Sequence, residues 1–326
     1  MRKVFLTIVF LAVSFSCFSQ ITTTKVAPKT EKIDNAPYDS TQNFLGRDVH
    51  KYIGQELYLK GMSDGMRKYG YRNFVIDHTQ KTLANKSNVY KCCDGSNSKY
   101  NELAGKYFKV LDAIKPPIPE EEYLKILYGD NRFFLKLQET ESSDIIYYQY
   151  DSESDKYTFP FLVVGFFAKQ KQIMIGKEFI IRGINWISAL EPITDMRTGN
   201  PIINFEAGSK WKCVDLTVEE RFYDLALILE NDKGEQVPIG IDYSKNQNFI
   251  FEYNQAERFK KKFGNENWKL ILRGDVKIGM TKEMCELSWG TPSKINQTII
   301  AGKKTEQWVY SDNYLYFDNG ILTAMQ

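Results

Sequence analysis

The sequence has very few side chains that titrate near neutral pH, with only two histidines among 326 residues. Histidine is the most common acid–base group in enzymes because its pKa lies near neutrality. Neither His50 nor His78 belongs to a catalytic motif, since the sequence has no HExxH pair, no GxSxG turn and no glycine-rich phosphate loop. We therefore predict no catalytic residue, no metal site and no cofactor, and we expect a non-enzymatic protein.

A surplus of either charge is also missing, because 43 basic residues face 41 acidic ones. Proteins that bind nucleic acid without sequence preference need extra cations to neutralise phosphates, so we expect no nucleic-acid partner. The balance hides local differences. Residues 62–100 hold seven basic and three acidic side chains, whereas residues 118–156 hold four basic and ten acidic ones.

No apolar run reaches the roughly twenty residues that a transmembrane helix needs. The longest run near the start, residues 4–13, follows Arg2 and Lys3 and precedes a small polar stretch that ends in Ser19. This order is typical of a signal peptide over residues 1–19, cleaved between Ser19 and Gln20. Its Ser-Gln end resembles exported proteins of Bacteroidetes. We therefore predict export to the periplasm or the cell surface, with no transmembrane span.

Lipidation at Cys17 is the weaker alternative for this terminus, because Ser14 stands where a lipobox requires an aliphatic residue. Membrane anchoring is therefore not expected. Four cysteines remain after cleavage, which is too few for a disulfide framework in a chain of this length. Cys92 and Cys93 are adjacent and could pair with each other, pair with Cys213 or Cys285, or stay as thiols. Together with the two histidines they have the residue types of a zinc site but not the spacing of a known one.

The chain contains an internal repeat of three blocks in the same order. Glycines begin the first two blocks of each copy, and the first pair of blocks matches in character at every position. The intervals between blocks differ in length, as expected when loops vary on a common core. The matched blocks are residues 54–61 and 176–183, 105–112 and 208–215, and 133–150 and 225–242.

Each copy is rich in aromatic and β-branched residues and contains four or five short strand patterns. This predicts a mainly β protein with two tandem SH3-like barrels, a β-sandwich being the alternative for each copy. The domains that we predict are a signal at 1–19, a flexible tether at 20–44, a first β module at 45–168, a second at 169–245 and an α+β module at 246–326.

The last of these domains has the clearest local signals. A helix is predicted over residues 254–263, and Thr281 can cap a second helix that ends at Leu287. Three strands follow, over residues 304–310, 314–318 and 321–325. Asn319-Gly320 between the last two strands is a strong signal for a type I′ hairpin turn.

These residues also carry a family resemblance. The order of Ile278-Gly279-Met280-Thr281, Trp289-Gly290-Thr291-Pro292, Glu306-Gln307-Trp308-Val309-Tyr310 and Leu315-Tyr316-Phe317-Asp318-Asn319-Gly320 resembles the SmpA/OmlA, or BamE-like, domain. The resemblance covers about 55 residues. It implies a helix packed on a three-stranded antiparallel sheet and a role in the cell envelope. The fold of that family also serves inhibitors and adaptors, so the resemblance does not specify one role.

We expect the partner, an envelope protein or a glycan, to bind the basic and aromatic loop of the first module. The candidate contact residues are Tyr69, Tyr71, Arg72, Tyr90 and Lys91.

Two other hypotheses remain, a secreted protein inhibitor and a glycan-acting enzyme that uses the carboxylates of Glu139, Glu141 and Asp144. Residues 151–155 imitate the start of a calcium loop, but Lys156 and Leu162 replace its essential glycine and glutamate, so a polar turn is the better interpretation. The aromatic side chains on predicted strands, Trp211, Trp308 and Phe317, are assigned to packing.

Overall fold

The computed structural model of the protein describes residues 37–326, apart from 81–84, 117–130, 183–193, 203–205, 220–223, 243–248 and 301–302. The predicted signal peptide and residues 20–36 of the predicted tether lie outside the described residues. Among those that are described, no helix is long and apolar enough to cross a bilayer. The described chain is mainly β, with several antiparallel sheets and a helical part near the C-terminus.

The first sheet has six antiparallel strands in the order β2-β7-β6-β5-β1-β8. Its core is aromatic, with Phe74, Phe108, Tyr148 and Phe161 packed ring against ring. A separate hairpin, β3-β4, lies beside it in the long loop of this module. The elements are β1 (Glu56–Leu59), α1 (Asp64–Arg67), β2 (Phe74–Val75), β3 (Cys92–Asp94), β4 (Asn97–Ser98), α2 (Tyr100–Leu103), β5 (Tyr107–Ile114), β6 (Arg132–Glu139), β7 (Ile145–Asp151), β8 (Phe161–Val163) and α3 (Val164–Met174).

The second sheet has five antiparallel strands in the order β12-β11-β10-β9-β13. Trp211 and Cys213 of β10 and the leucines of β11 form its core, as expected from their positions on the strands. The elements are β9 (Glu178–Ile181), β10 (Lys210–Glu219), β11 (Asp224–Glu230), β12 (Gln236–Gly240) and β13 (Ile250–Glu252).

The two sheets repeat one another in detail. The order β7-β6-β5-β1-β8 corresponds strand for strand to β12-β11-β10-β9-β13. A register shift interrupts β5–β6 between Val110 and Asp112, and another interrupts β10–β11 between Cys213 and Asp215, which are the matched positions of the sequence repeat. Each sheet also ends in a three-residue strand that leads directly into a helix of eleven residues.

The backbone hydrogen bonds of the matched blocks correspond as well. The amide of Gly54 donates to Val110, and that of Gly176 donates to Cys213, at 2.8 Å in both cases. Both glycines have positive φ angles, 82° and 87°, which a residue with a side chain rarely adopts. The repeat of the sequence is therefore also a repeat of strands, bulge and turn.

The C-terminal part packs helices against a four-stranded antiparallel sheet in the order β14-β15-β16-β17. Cys285 of the last helix meets Trp308, Leu315 and Phe317 in a buried cluster on one face of the sheet. The elements are α4 (Tyr253–Phe263), α5 (Asn265–Arg273), α6 (Lys282–Trp289), β14 (Lys294–Ile300), β15 (Lys303–Val309), β16 (Tyr314–Asp318) and β17 (Ile321–Met325).

Several local predictions for this part are confirmed. The hydroxyl of Thr281 accepts a hydrogen bond from the amide of Met284 and so caps α6. Asn319 and Gly320 have φ angles of 48° and 86°, as a type I′ turn requires. The sheet differs from the prediction because β14 adds a fourth strand, and α5 was also not predicted.

Of two predicted domain boundaries, one falls within a helix and the other divides the second sheet. The boundary after residue 168 falls within α3, which runs to Met174. The boundary after residue 245 falls before β13, which pairs with β9 and therefore belongs to the second sheet. The second module lost β13 because this strand lies beyond the matched blocks, whereas the first predicted module holds every strand of the first sheet.

A buried arginine connects the second sheet to the helices. Arg182, directly after β9, has no solvent exposure. Its guanidinium donates to the carbonyl oxygens of Ile271 at 2.6 Å, Ser288 at 2.8 Å and Leu287 at 2.9 Å, near the C-terminal ends of α5 and α6. Burial lowers the pKa of Arg182 to about 10, so it is still charged at neutral pH, where the negative ends of the helix dipoles favour a cation.

Candidate functional site

A cleft of about 990 Å³ lies where the first sheet meets the second. The segment before β2, the end of β7 and the turn that follows β7 form most of its wall, and β6 contributes Arg132. Leu225, Ile241 and Asp242 of the second sheet line the other side. Clefts of this size between modules are common binding sites for small ligands and extended chains.

Aromatic rings form the floor of the cleft. Tyr71, Tyr148, Tyr150 and Phe159 contribute to it and are all at least nine-tenths buried. Among the tyrosines, the hydroxyl of Tyr71 donates to the carbonyl of Lys60 at 2.6 Å and that of Tyr150 donates to the carbonyl of Gly46 at 2.9 Å. These rings therefore shape the cleft from beneath and expose little of their own surface to a ligand.

A polar turn forms one wall, at residues 152–158. Asp151 holds its start, because its Oδ1 accepts hydrogen bonds from the amides of Glu153 and Ser154. A 3₁₀ turn follows over Ser154–Lys156. The polar turn expected in place of a calcium loop is thus confirmed.

Asp155 anchors this turn from below. Its Oδ2 accepts hydrogen bonds from the hydroxyl of Tyr148 and the amide of Asp151, both at 3.1 Å. Burial away from water raises the pKa of Asp155 to about 6, although the hydrogen bonds oppose the shift. The carboxyl is a positioning group for the wall of the cleft, because it is only 4% exposed and points into the fold.

The rim of the cleft combines exposed rings with hydrogen-bonding groups. Tyr157 is 85% exposed and Tyr69 is 48% exposed. Arg72 and Asn73 stand exposed on the same rim. The charged side chains of the lining nearly cancel, with four basic and three acidic groups, namely Lys60, Arg72, Arg132, Lys156, Asp151, Asp155 and Asp242.

The structure separates the five predicted contact residues into two groups. Tyr69, Tyr71 and Arg72 line the cleft, although the ring of Tyr71 belongs to the floor and is only 1% exposed. Tyr90 and Lys91 lie elsewhere, beside Glu139. The structure therefore does not bring all five residues to the cleft, and their role in contacting a partner stays a prediction. Tyr71 and Tyr90 carry apolar rings that the core covers, and their hydroxyl groups find partners inside the protein.

Glu139 is the centre of a buried ionic cluster. Its side chain is fully buried and accepts from Lys106, from Lys91 at 3.1 Å and from the hydroxyl of Tyr90 at 2.7 Å. Burial alone would raise its pKa, but these donors outweigh burial and lower the pKa to about 2. The hydroxyl of Tyr90 also contacts Asp144 at 2.6 Å, and the pKa of Asp144 is lowered too.

The ionic cluster includes two of the three carboxylates that were considered for glycan hydrolysis, Glu139 and Asp144. One oxygen of Glu139 and one of Asp144 contact the same Tyr90 hydroxyl, so these two oxygens lie no farther apart than the roughly 5 Å between the carboxyl groups of retaining glycosidases. A general acid must hold a proton near the working pH, and both groups here are ionised. Glu141 is exposed and pairs with Lys106 at 3.3 Å. The cluster therefore fits a structural role.

The remaining candidates are placed as follows. Cys92 and Cys93 are bonded to each other across a cis peptide bond, while Cys213 and Cys285 are buried thiols whose pKa values burial raises. His78 packs its ring 4.3 Å from that of Tyr147. Within the described ranges, no three His, Cys, Asp or Glu side chains form a group that could hold a metal ion.

Comparison of the chain with family models, with curated proteins and with solved structures finds no match. The resemblance of the C-terminal part to the SmpA/OmlA domain therefore stays a prediction. The cleft is the site that the geometry itself offers. Sequence reasoning missed its second wall, because Leu225 and Ile241 are ordinary core positions until the two sheets meet.

Proposed function

We propose that this chain is an exported, non-enzymatic binding protein of the cell envelope, and that the cleft between its two β modules holds the partner. The observation that carries the proposal is a cleft with exposed tyrosines at its rim, buried aromatic rings beneath it and nearly balanced charge. Export is supported by the pattern of residues 1–19.

The composition of the cleft favours a glycan over a charged polymer. Sugar rings present an apolar face that packs on aromatic rings and hydroxyl groups that bond to amide, guanidinium and carboxylate groups. Tyr69 and Tyr157 offer exposed rings, and Arg72 and Asn73 offer hydrogen-bonding groups on the same rim. Since basic and acidic side chains nearly cancel, charge does not select for a strongly acidic or basic ligand.

A binding role also fits the acid–base chemistry of the described residues better than hydrolysis. Asp155 lines the cleft and has a raised pKa, and its carboxylate accepts hydrogen bonds from the hydroxyl of Tyr148 and the amide of Asp151. The carboxylates of the Glu139 cluster are ionised and held by lysines. A cleft whose floor and wall are held by packing and hydrogen bonds binds with little loss of conformational entropy, as expected of an adaptor.

Binding to envelope material tests the proposal. The chain from Gln20 onward is titrated with soluble oligosaccharides and sedimented with insoluble peptidoglycan, and envelope proteins are tested in parallel. We expect Tyr157→Ala and Arg72→Ala each to weaken glycan binding by about tenfold, since each removes one contact at the rim.

The matched control is Tyr107→Ala, which removes a tyrosine that is 44% exposed on the first sheet and does not line the cleft. It should bind like the wild type. Equal binding by all variants would place the partner outside the cleft and refute the proposal. Binding to an envelope protein alone, with the same loss in Tyr157→Ala, would retain the cleft and replace the glycan by a protein.

A further inference from the structure

Within the part of the chain that the structure describes, one long sheet edge has no partner strand. Edge strands carry unpaired backbone groups that can pair with another chain, so folded proteins usually shorten, cover or charge them. β14 is an edge strand of seven residues in the C-terminal sheet. No described residue donates a backbone hydrogen bond to its outer side, and its residues 294–299 are all exposed.

The opposite edge of the same sheet is covered. The amide of Gly279 donates to Leu322 at 2.8 Å, and the amide of Leu322 donates to Met280 at 2.8 Å. Thr281 forms an isolated bridge with Ile321. The segment before α6 therefore closes the edge of β17 and leaves β14 as the open side of the sheet.

The edges of the other two large sheets are short or blocked. The first sheet ends in β2 with two residues and β8 with three. In the second sheet, β13 has three residues, and β12 contains Pro238 and accepts a backbone hydrogen bond from Met196. β14 has none of these features, since it lacks proline and glycine and its single charge is Lys294 at the start.

The side chains of β14 also favour a partner. Ile295 is 50% exposed and Ile299 is 64% exposed. Ile295 lies opposite Trp308 in the ladder, and because side chains alternate along a strand, Ile299 shares its face. Trp308 belongs to the buried cluster beneath α6. Ile295 therefore extends the apolar cluster toward the open edge of the sheet, whereas Ile299 lies opposite Lys304 and exposes its apolar side chain on the same face.

The pattern of this strand is complementary to itself. If two copies pair antiparallel with Gln297 on the two-fold axis, Ile295 of each copy lies opposite Ile299 of the other. Asn296 then lies opposite Thr298 on the other face, where both side chains can hydrogen-bond. Each pair repeats across the axis, as a symmetric dimer interface requires.

We propose that β14 is a homodimerisation edge, through which two copies of this chain form one continuous eight-stranded sheet. The pairing covers both isoleucines and joins the apolar faces of the two C-terminal sheets. It also places two clefts on one assembly, which raises the avidity for a repeating partner such as a polymer. Because the contact is confined to one strand from each copy, we expect a dimer that dissociates on dilution.

Sedimentation equilibrium of the chain from Gln20 onward tests association. We expect the mean mass to rise from monomer toward dimer between about 1 and about 500 μM, the range expected for a small interface. The variant with Ile295→Lys and Ile299→Lys together should raise the dissociation constant at least about thirtyfold, because charges would face the former apolar contact. Ile278→Lys is the control, since Ile278 is 58% exposed and lies outside the sheet.

Thiol crosslinking tests the register. Gln297→Cys should crosslink to itself, whereas Ile295→Cys and Ile299→Cys should crosslink efficiently only when the two variants are mixed. The native Cys213 and Cys285 are buried, so the wild type gives the background level of crosslinking. Thermal unfolding of each variant should match that of the wild type, because every changed side chain is exposed.

A wild type that stays monomeric throughout the range would overturn the proposal. So would a dimer that is unaffected by the two lysines and gives no mixed crosslink, since it would use another surface. If the chain stays monomeric and β14 instead pairs with a strand of a different protein, homodimerisation is likewise refuted.

Discussion

Arg182 offers the sharpest test of how the second sheet and the helices are held together. We consider the replacement Arg182→Met, which keeps an unbranched side chain of similar length and removes the charge and all its donors. The guanidinium donates to three buried carbonyl oxygens, those of Ile271, Leu287 and Ser288. The change therefore leaves acceptors at the ends of two helices without this donor.

The magnitude follows from two opposing contributions. Burial lowers the pKa of Arg182 from 12.5 to about 10, which corresponds to roughly 3 kcal/mol of desolvation that the methionine does not incur. Three hydrogen bonds from a charged donor contribute about 1.5–3 kcal/mol each. The difference predicts that Arg182→Met lowers the free energy of unfolding by about 1.5–6 kcal/mol.

Urea denaturation, followed by tryptophan fluorescence and by far-ultraviolet circular dichroism, measures this change. Trp268 and Trp289 lie in the helices that Arg182 contacts, so fluorescence should report early loss of that region. Lys212→Met, on an exposed position of the same sheet, is the control and should change the stability by less than about 0.5 kcal/mol. A loss below about 1 kcal/mol for Arg182→Met would show that the three carbonyls find other donors, and the reasoning would be wrong.

Three further predictions concern pH and backbone geometry. Because the pKa of Asp155 is raised, the folded chain binds this proton more tightly than the unfolded chain does, and the free energy of unfolding falls as pH rises from about 4 to about 6. Asp155→Asn should remove this fall, so that its free energy of unfolding at pH 8 is higher than that of the wild type by up to about 2–3 kcal/mol. Urea denaturation midpoints across this pH range measure the difference. The pKa of Glu139 is lowered, so its ion pairs stabilise the fold at neutral pH and this stabilisation is lost as pH falls toward 2. Glu139→Gln should therefore lower the free energy of unfolding by about 1–3 kcal/mol at pH 7 and by nearly nothing near pH 2. An equal loss at both pH values would show that the ion pairs are not its cause. Gly320→Ala, at a φ of 86°, should lower the free energy of unfolding by about 1–2 kcal/mol in the same assay, and an unchanged midpoint would contradict the positive φ at this turn.

Local features were predicted well where a few neighbouring residues decide them. The glycines that begin the matched blocks, the cap at Thr281 and the Asn319-Gly320 turn depend on backbone conformations that only certain residues adopt readily. β14 was not predicted because its sequence gives a weak strand pattern, and its backbone is held as a strand by pairing with β15. α5 was missed because its apolar residues gain their partners from β13 and α4, which are separate segments of the chain.

The candidate site was predicted in part, for a related reason. Tyr69 and Arg72 were identified from a basic, aromatic loop, and both line the cleft. Tyr90 was assigned to the same surface because aromatic residues are common at interfaces, yet its hydroxyl lies between two carboxylates inside the first module. Burial depends on which strands surround a side chain, and a linear pattern does not contain that information.

By itself, the sequence determined the duplicated strand order, the mainly β class and the local turns, because each depends on spacing and on the preferences of single residues. The tertiary structure alone decided that Leu225 and Ile241 of one module close a cleft on the other, that Arg182 ends among three carbonyls, and that β14 is the uncovered edge. These features arise from residues that are distant along the chain. They come together only when the sheets pack, and packing is set by the whole shape of each module.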